Sequence, residues 1–379
     1  MSAGLVAFGA YDTRKPRVRL LLGALRRAGA LEEEILIPAW EEVPETNVPS
    51  YGHVLRVLWR MFLGYPRAIW RLAQTSQETA ILLPYPGIIE ILLLAPIAQA
   101  MRRPIVLDAF LPIHDTVAGD RALIKRGVVT SIIWWFEKIA LGRASLILVD
   151  TDAHRDYFAQ EYDLKREKFI TVLVGAEAGF TPEAVQDDTV EDVLGPLDDR
   201  PIVLFYGQLI PLHGLPTILE AAALTKGRDI RWVVIGRGQL EPMLRDALTR
   251  SEPNIEWIEW IEWIDYERLP AVIARASLCL GVFGASDKAA RVIPNKLFQQ
   301  AAVGKPVITR SSPAVDPLAK RFPCSIITVP PGDAQALADA VAKALARKDE
   351  LAALPEEAMR ELSPDAGVAQ LLARLDEPA

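Results

Sequence analysis

Three times in this chain a short apolar run stops at a glycine and gives way to a helical pattern. Leu5 to Phe8 ends at Gly9, Ile202 to Tyr206 at Gly207, and Trp232 to Ile235 at Gly236. A strand that reads as a continuous apolar run is covered on both faces, and the helix that follows it supplies part of the cover. The rhythm therefore predicts an α/β chain built of doubly wound parallel sheets, in which ligands gather outside the carboxyl ends of the strands. At 379 residues and 51% hydrophobic content, the chain has length and apolar surface for two such domains.

Taken in order, Leu20 to Ala28 has helical spacing and ends at Gly29, and Ile35 to Pro38 reads as a second strand. Trp40 to Ser50 reads as loop. Val54 to Ala73 returns to helical period, with interruptions expected at Gly64 and Pro66. Ala80 to Leu83 and Ile105 to Leu107 are strand candidates around a helical Ile88 to Met101, and Leu123 to Leu141 is helical. Leu146 to Val149 is a strand, Thr151 or Asp152 caps the next helix, and Phe169 to Val174 closes the first half. Residues 178–200 hold Pro182, Gly195, Pro196 and seven acidic residues with little apolar period, the composition of a linker. In the second half helices are expected at Leu215 to Leu224, Leu240 to Thr249, Leu269 to Ala276 (capped by Asp265) and Ala334 to Ala346. Strands are expected near Ile255 and at Ile326 to Val329. The expected division is an N-terminal domain 1–177, a linker 178–200, a C-terminal domain 201–354 and a terminal helical segment 355–379 that crosses back to the first domain.

Charge and composition exclude several functions. The net charge of −7 supplies no global basic field, so nucleic acid is not an expected partner. Cys279 and Cys324 lie in apolar strand-like runs far apart, which predicts buried free thiols in a reducing compartment, hence a cytoplasmic protein. The N-terminus enters the apolar run Gly4 to Phe8 without a basic segment, unlike a secretory signal. Ala80 to Met101 is interrupted by Pro84, Pro86, Glu90 and Pro96, so no bilayer-spanning run is expected. Val54 to Ala73 nevertheless combines Arg56, Arg60, Arg67 and Arg71 with Trp59, Met61, Phe62 and Trp70, the composition of an interfacial segment. Lys125, Arg126, Trp134 and Trp135 extend that pattern toward a peripheral contact with the inner face of a membrane; packing of these aromatics in the core is the alternative. Gly236-Arg237-Gly238 lacks the third glycine of a dinucleotide fingerprint, and no Gly-Lys-Ser/Thr phosphate loop occurs. His53, His114, His154 and His213 show no metal-ligand spacing, and Asp150-Thr151-Asp152 reads as a helix cap. No metal and no cofactor are expected.

The chemistry-bearing stretch runs from Phe283 to Ile308: a loop with Lys288 and Arg291, a helix opening near Pro294, and Gly304 just past its end. Free N–H groups and the positive end of the helix dipole make such an N-terminus an anion site, to which Lys288, Arg291, Asn295 and Lys296 add donors. A diphosphate fits there; a solvated basic loop on an ordinary βαβ unit fits the same spacing. In the first half Asp108, His114 and Asp115 follow a strand end and are candidates for a ligand site, with helix capping as the alternative. Gly9 and Tyr11 follow the first strand in the same way.

The run Ile293-Pro294-Asn295-Lys296-Leu297-Phe298, followed by Gly304-Lys305-Pro306-Val307-Ile308, resembles the donor-site helix of the retaining GT-B glycosyltransferases of family four. Phe205 to Gly214 and Val233 to Gly238 match upstream in the family's order, so the resemblance covers most of residues 200–310. It implies a GT-B fold, two Rossmann-like doubly wound domains facing a central cleft. The implied activity is a retaining hexosyl transfer from a nucleotide-sugar donor to a glycan or lipid-linked acceptor, in surface polysaccharide or glycolipid biosynthesis; with no metal-ligand cluster and with positive charge at Arg291 and Lys296, it is expected to be metal-independent. It assigns leaving-group stabilisation to Lys296 and Arg291, and close backbone approach to the nucleotide to Gly207 and Gly236. Gln208, His213, Arg237, Lys288 and Asn295 fall on the donor side, with Gln299 on the ribose. Asp108 would orient the acceptor or face the anomeric carbon, with Gly9, Tyr11, His114 and Asp115 on the acceptor side. The family's pattern places a glutamate where this chain has Gln299, an acidic residue at Arg291, and an arginine and a lysine at Gln208 and His213. These departures keep open a nucleotide-sugar-binding or scaffold protein without catalysis, and because fold does not fix function an epimerase or phosphorylase of the same fold stays open too.

Overall fold

The computed structural model describes residues 4–40, 51–115, 127–183, 190–195, 198–250 and 258–377. The chain divides into two compact units, residues 1–174 with 362–379, and residues 175–361. The strand expected near Ile255, and Lys125 and Arg126, lie outside the described residues.

In the first unit six parallel strands, β1 (Leu5–Gly9), β2 (Leu31–Leu36), β3 (Ala80–Leu83), β4 (Ile105–Phe110), β5 (Leu146–Val149) and β6 (Phe169–Thr171), form one sheet. Their order is β2-β1-β3-β4-β5-β6, so the order reverses between β1 and β3. Alternate strand residues face two cores. Val6, Phe8, Ile81, Leu83 and Leu107 pack against the helices Tyr51–Gln74 and Ile88–Ala100. Leu5, Ala7, Leu82 and Val106 pack against the helices Pro16–Arg27 and Pro364–Asp376. The last helix approaches closely because residue 367 is glycine: a Cβ there would lie 2.7 Å from the Thr171 carbonyl oxygen.

Tyr51–Gln74 is one continuous helix, not the interrupted one that Gly64 and Pro66 suggest. Gly64 seats the helix against Ile37, whose Cγ2 would lie 2.6 Å from a Cβ at that position. Pro66 is on the exposed side, where the carbonyl that a proline leaves without its N–H is open to solvent.

Asp108 departs further from its expected role. It is fully buried, and Arg17 reaches it through Nη2 at 2.7 Å and Nε at 3.1 Å while donating also to the Val172 carbonyl. The pair ties β4 to the first helix and to the chain after β6. A carboxylate so engaged is structural, and it is not available to an acceptor or an anomeric carbon.

The second unit holds β7 (Ile202–Tyr206), β8 (Arg231–Ile235), β9 (Ile258–Ile261), β10 (Leu278–Leu280), β11 (Val307–Arg310) and β12 (Ile326–Val329). Read from β9, the parallel order is β9-β8-β7-β10-β11-β12, the doubly wound Rossmann arrangement with its reversal between β7 and β10. Part of the expected linker belongs to this unit's core: Phe180, Val190 and Leu194 are buried against Ile202, Leu204 and Val272. Residues 184–189 and 196–197 of that stretch lie outside the described residues. Cys279 is a buried free thiol as expected, whereas Cys324 is exposed.

Removing one partner of a buried ion pair strands the other charge, typically at about 3–5 kcal/mol. Asp108→Ala should therefore lower unfolding stability by that amount in chemical denaturation. Wild-type stability in that variant would show that the carboxylate is not a structural anchor.

Candidate functional site

Three loops meet at the carboxyl edge of the second sheet because glycine lets their backbones touch. Gly207 (φ 130°) follows β7 and Gly236 (φ 138°) follows β8; a Cβ on Gly236 would lie 2.0 Å from the Gly207 carbonyl oxygen. Gly214 (φ 70°) meets Gly284, the loop after β10, where a Cβ would come within 2.6 Å of the Gly284 nitrogen. The loops converge at the reversal between β7 and β10, where doubly wound sheets bind ligands.

The helix Asn295–Ala302 opens beside this floor. Pro294 is its N-cap and no side chain caps its first turn; Gly304 (φ 79°) follows its end. Lys296, in the first turn, is only 6% exposed, and its ammonium has no hydrogen-bond partner. Nζ stands 4.0 Å from the Phe205 ring centroid and would be 3.3 Å from a Cβ on Gly207. A cation–π contact offsets only part of the desolvation of an ammonium. Burial accordingly pulls the Lys296 pKa down to about 7. His213 Nδ1 bonds the Gln208 carbonyl, and its Cε1 is 3.5 Å from the same Gly207 position. Burial first, and the Lys296 charge second, hold the imidazole well below its ordinary pKa, so it is neutral at pH 7. The arrangement is an anion cradle: a desolvated cation, a neutral imidazole and an uncapped helix N-terminus around a glycine backbone.

The remaining donor-side residues fall in three environments. Lys288 and Arg291 are not in an open loop but on a short helical turn, Asp287–Arg291, capped by Ser286 accepting from the Ala289 N–H at 3.2 Å. Arg237 is exposed and paired with Glu262 at 2.7 Å; Gln208 is exposed, and Asn295 is half-buried at the helix start. Gln299 is committed internally: its Oε1 accepts from Tyr206 at 3.0 Å, and its Nε2 donates to Tyr266 at 2.7 Å and Glu177 at 3.3 Å. The amide meant for ribose is thus used to lock β7 to this helix. Sequence reading missed Arg310, at the end of β11, whose Nη1 donates to the carbonyls of Gly284 and, at 3.0 Å, Ser286. It braces the segment from Gly284 to Ser286 that leads into the turn carrying Lys288, and no local pattern marks it.

In the first unit Gly9 (φ 133°) ends β1 against Glu90, whose Oε1 accepts from the Ala10 N–H and the Tyr65 hydroxyl, each at 3.0 Å. Tyr11 is buried in the core beside Val18 and Leu22. Ile113 and His114 donate their N–H groups to Glu137 at 2.8 and 3.1 Å, and Asp115 is half-buried on the same short helix. Glu137 also accepts from Tyr162 at 2.6 Å, and burial raises its pKa. Thr151, not Asp152, caps the helix Asp152–Tyr162 by accepting from the His154 N–H at 3.1 Å, while Asp150 bonds His154 Nδ1 at 2.5 Å. Among the described residues no group of three or more His, Cys, Asp or Glu side chains could hold a metal ion.

The depressed Lys296 pKa has a signed consequence. An anion binds the ammonium form, so affinity for a diphosphate should be highest below pH 7 and should fall as pH rises through about 7. The limiting loss is about tenfold per pH unit, until the amine's raised pKa in the complex is passed. Calorimetric titration from pH 6.5 to 9 checks this, with Lys296→Met expected to bind weakly and without the slope. In the free protein the same shift makes stability rise from pH 7 toward 10.5, because only the unfolded chain keeps the proton in that window.

Residues 200–347 match the family model described as glycosyl transferases group 1. α-D-kanosaminyltransferase of Streptomyces kanamyceticus is 26% identical over 247 residues, covering 62% of this chain and 58% of that relative, so the match spans little more than half of its length. Among solved structures, the chain is similar to sucrose-phosphate synthase from Thermosynechococcus elongatus (TM-score 0.70, 16% identity, 98% and 99% of the two chains). It is also similar to Anabaena HepE in complex with UDP and glucose (TM-score 0.64, 14% identity, 98% and 100%). The catalytic domain of starch synthase IV from Arabidopsis thaliana, bound to ADP and acarbose, gives a TM-score of 0.66 at 12% identity over 99% of each chain. Two parallel six-stranded sheets flanked by helices are the GT-B fold of these structures, and the stretch similar to glycosyl transferases group 1 lies in the second unit.

Proposed function

We propose that this protein is a retaining glycosyltransferase that takes a sugar from a nucleotide-sugar donor and passes it to a glycan or lipid-linked acceptor. The observation that carries the reading is the Lys296 ammonium, buried and without a hydrogen-bond partner beside the Gly207 backbone at the start of an uncapped helix. Breaking a glycosidic bond to a nucleoside diphosphate loads negative charge onto the leaving group. Preorganised donors in a water-poor site stabilise that charge without reorganising. Because Lys296 and the helix N-terminus supply positive charge, the reaction proceeds without a divalent metal. The matched group 1 domain and the UDP and ADP complexes of the similar structures support a nucleotide-sugar donor. A second reading, donor binding without transfer, is favoured by the internal commitment of Gln299.

The acceptor side is proposed to work at a membrane surface, in assembly of a surface glycan or glycolipid. Arg56, Arg60, Arg67 and Arg71 lie four, seven and four residues apart, on one stripe of the helix Tyr51–Gln74. Next to that stripe the helix exposes Leu55, Trp59, Phe62, Leu63 and Trp70. An arginine stripe beside an exposed apolar arc is the pattern of a helix lying in a lipid interface. No helix among the described residues is long and apolar enough to cross a membrane.

A panel of nucleotide-sugars scored by thermal shift tests the donor site: the true donor at ~100 times its dissociation constant stabilises the fold by about 2.7 kcal/mol. If no nucleotide or nucleotide-sugar moves the melting point, the reading fails. Lys296→Ala should lower kcat about ten- to a hundred-fold with a smaller change in donor KM, because the contact strengthens as the leaving group gains charge. Wild-type kcat in folded Lys296→Ala would remove the assignment, and loss of transfer in EDTA restored by magnesium would remove metal independence. For the membrane contact, vesicles containing anionic lipid should recover the protein in flotation and neutral vesicles should not.

A further inference from the structure

The first unit contains a cavity of about 620 Å³ between the helices Tyr51–Gln74, Ile88–Ala100 and Val128–Arg143. Met61, Leu92 and Phe136 are among its lining residues, and Ala10 and Pro86 place one end of it just beyond β1 and β3. That is where the strand order of the first sheet reverses, the position at which open α/β sheets receive ligands. The two carboxylates in the wall are turned to internal work. Glu90 accepts from Ala10 and Tyr65, and Glu137 from Ile113, His114 and Tyr162. What faces the cavity is therefore almost entirely hydrocarbon, a surface that holds water poorly and apolar groups well. Its rim is apolar too: Leu58, Ile89, Leu93 and Phe136 are each 45–51% exposed. It runs onto the helix that carries the four-arginine stripe.

We propose that this cavity is a hydrocarbon-binding site that takes the aliphatic chain of an anionic amphiphile. The chain enters across the exposed apolar rim. It leaves the polar head group at the carboxyl ends of β1 and β3, and the neighbouring arginines favour a negative charge on the lipid surface from which it comes. Naming the amphiphile as the sugar acceptor rests on the glycosyltransferase reading; the binding of the chain does not.

The test uses the full chain and dodecyl phosphate below its micelle concentration, with butyl phosphate and inorganic phosphate as controls, by isothermal titration. Dodecyl phosphate has eight more methylenes to bury, and burial of even four of them makes it bind about a hundredfold tighter than butyl phosphate. Leu92→Trp, which fills the cavity, should weaken dodecyl phosphate binding about tenfold or more. Ile89→Glu, at a rim position that tolerates a charge, should do the same if Leu92→Trp fails to fold. Trp70→Glu, outside the lining, should leave dodecyl phosphate binding unchanged while reducing vesicle flotation. Equal affinity for the two alkyl phosphates would overturn the proposal. So would binding that survives both cavity variants, or binding lost equally in Trp70→Glu. A protein that binds dodecyl phosphate but no nucleotide loses the donor reading and keeps this one; the converse result removes this one alone.

Discussion

The contact on which the donor-side architecture depends is backbone against backbone, Gly236 on the carbonyl of Gly207. At the 2.0 Å that a Cβ would impose, no rotamer change could relieve the clash, because the obstacle is main chain. With both residues at positive φ, the loops after β7 and β8 bring their backbones into direct contact. Gly214 against Gly284 repeats the device for the loop after β10. The glycines themselves add no side chain to this floor, so its backbone is open to close approach beside Lys296 and His213.

The same floor explains why Lys296 is left with an unmet charge. Its neighbours are the Phe205 ring, a glycine backbone and a histidine kept neutral, none of which offers an anion. A core built for stability alone would replace such an ammonium with an apolar side chain, since burying it costs free energy. The surrounding structure carries that cost instead: Tyr206 and Tyr266 clamp Gln299 in the same helix, and Arg310 braces the facing loop.

The first unit divides its apolar side chains differently. Val57, Met61, Tyr65, Ala68 and Leu72 on the helix Tyr51–Gln74 face the core. Trp59, Phe62 and Trp70 face outward. Of the apolar residues that composition singled out on this helix, Met61 packs in the core, while Trp59, Phe62 and Trp70 do not. Trp134 is half-buried in the core, stacked on Tyr162, while Trp135 is exposed. Adjacent positions on a helix are about 100° apart, enough to send one ring inward and the next outward.

The sequence by itself determined the alternation of apolar strand, glycine and helix in both halves, and it placed a lysine in the first turn of a helix after the fourth strand of the second. These are local properties: the period of apolar residues, the φ that only glycine adopts cheaply, and the dipole of a helix start all act within a few residues. The partners of buried polar groups were not legible. Asp108 meets Arg17 from 91 positions away, and Gln299 meets Tyr206 and Glu177 from 93 and 122 positions away. Arg310 and Glu90 carried no motif, because their roles lie in what the neighbouring strands bring to them. Tertiary structure alone decided which carboxylate is neutralised, which amide is already spent and which cation stays without a counter-charge. That outcome depends on the register in which distant strands stack.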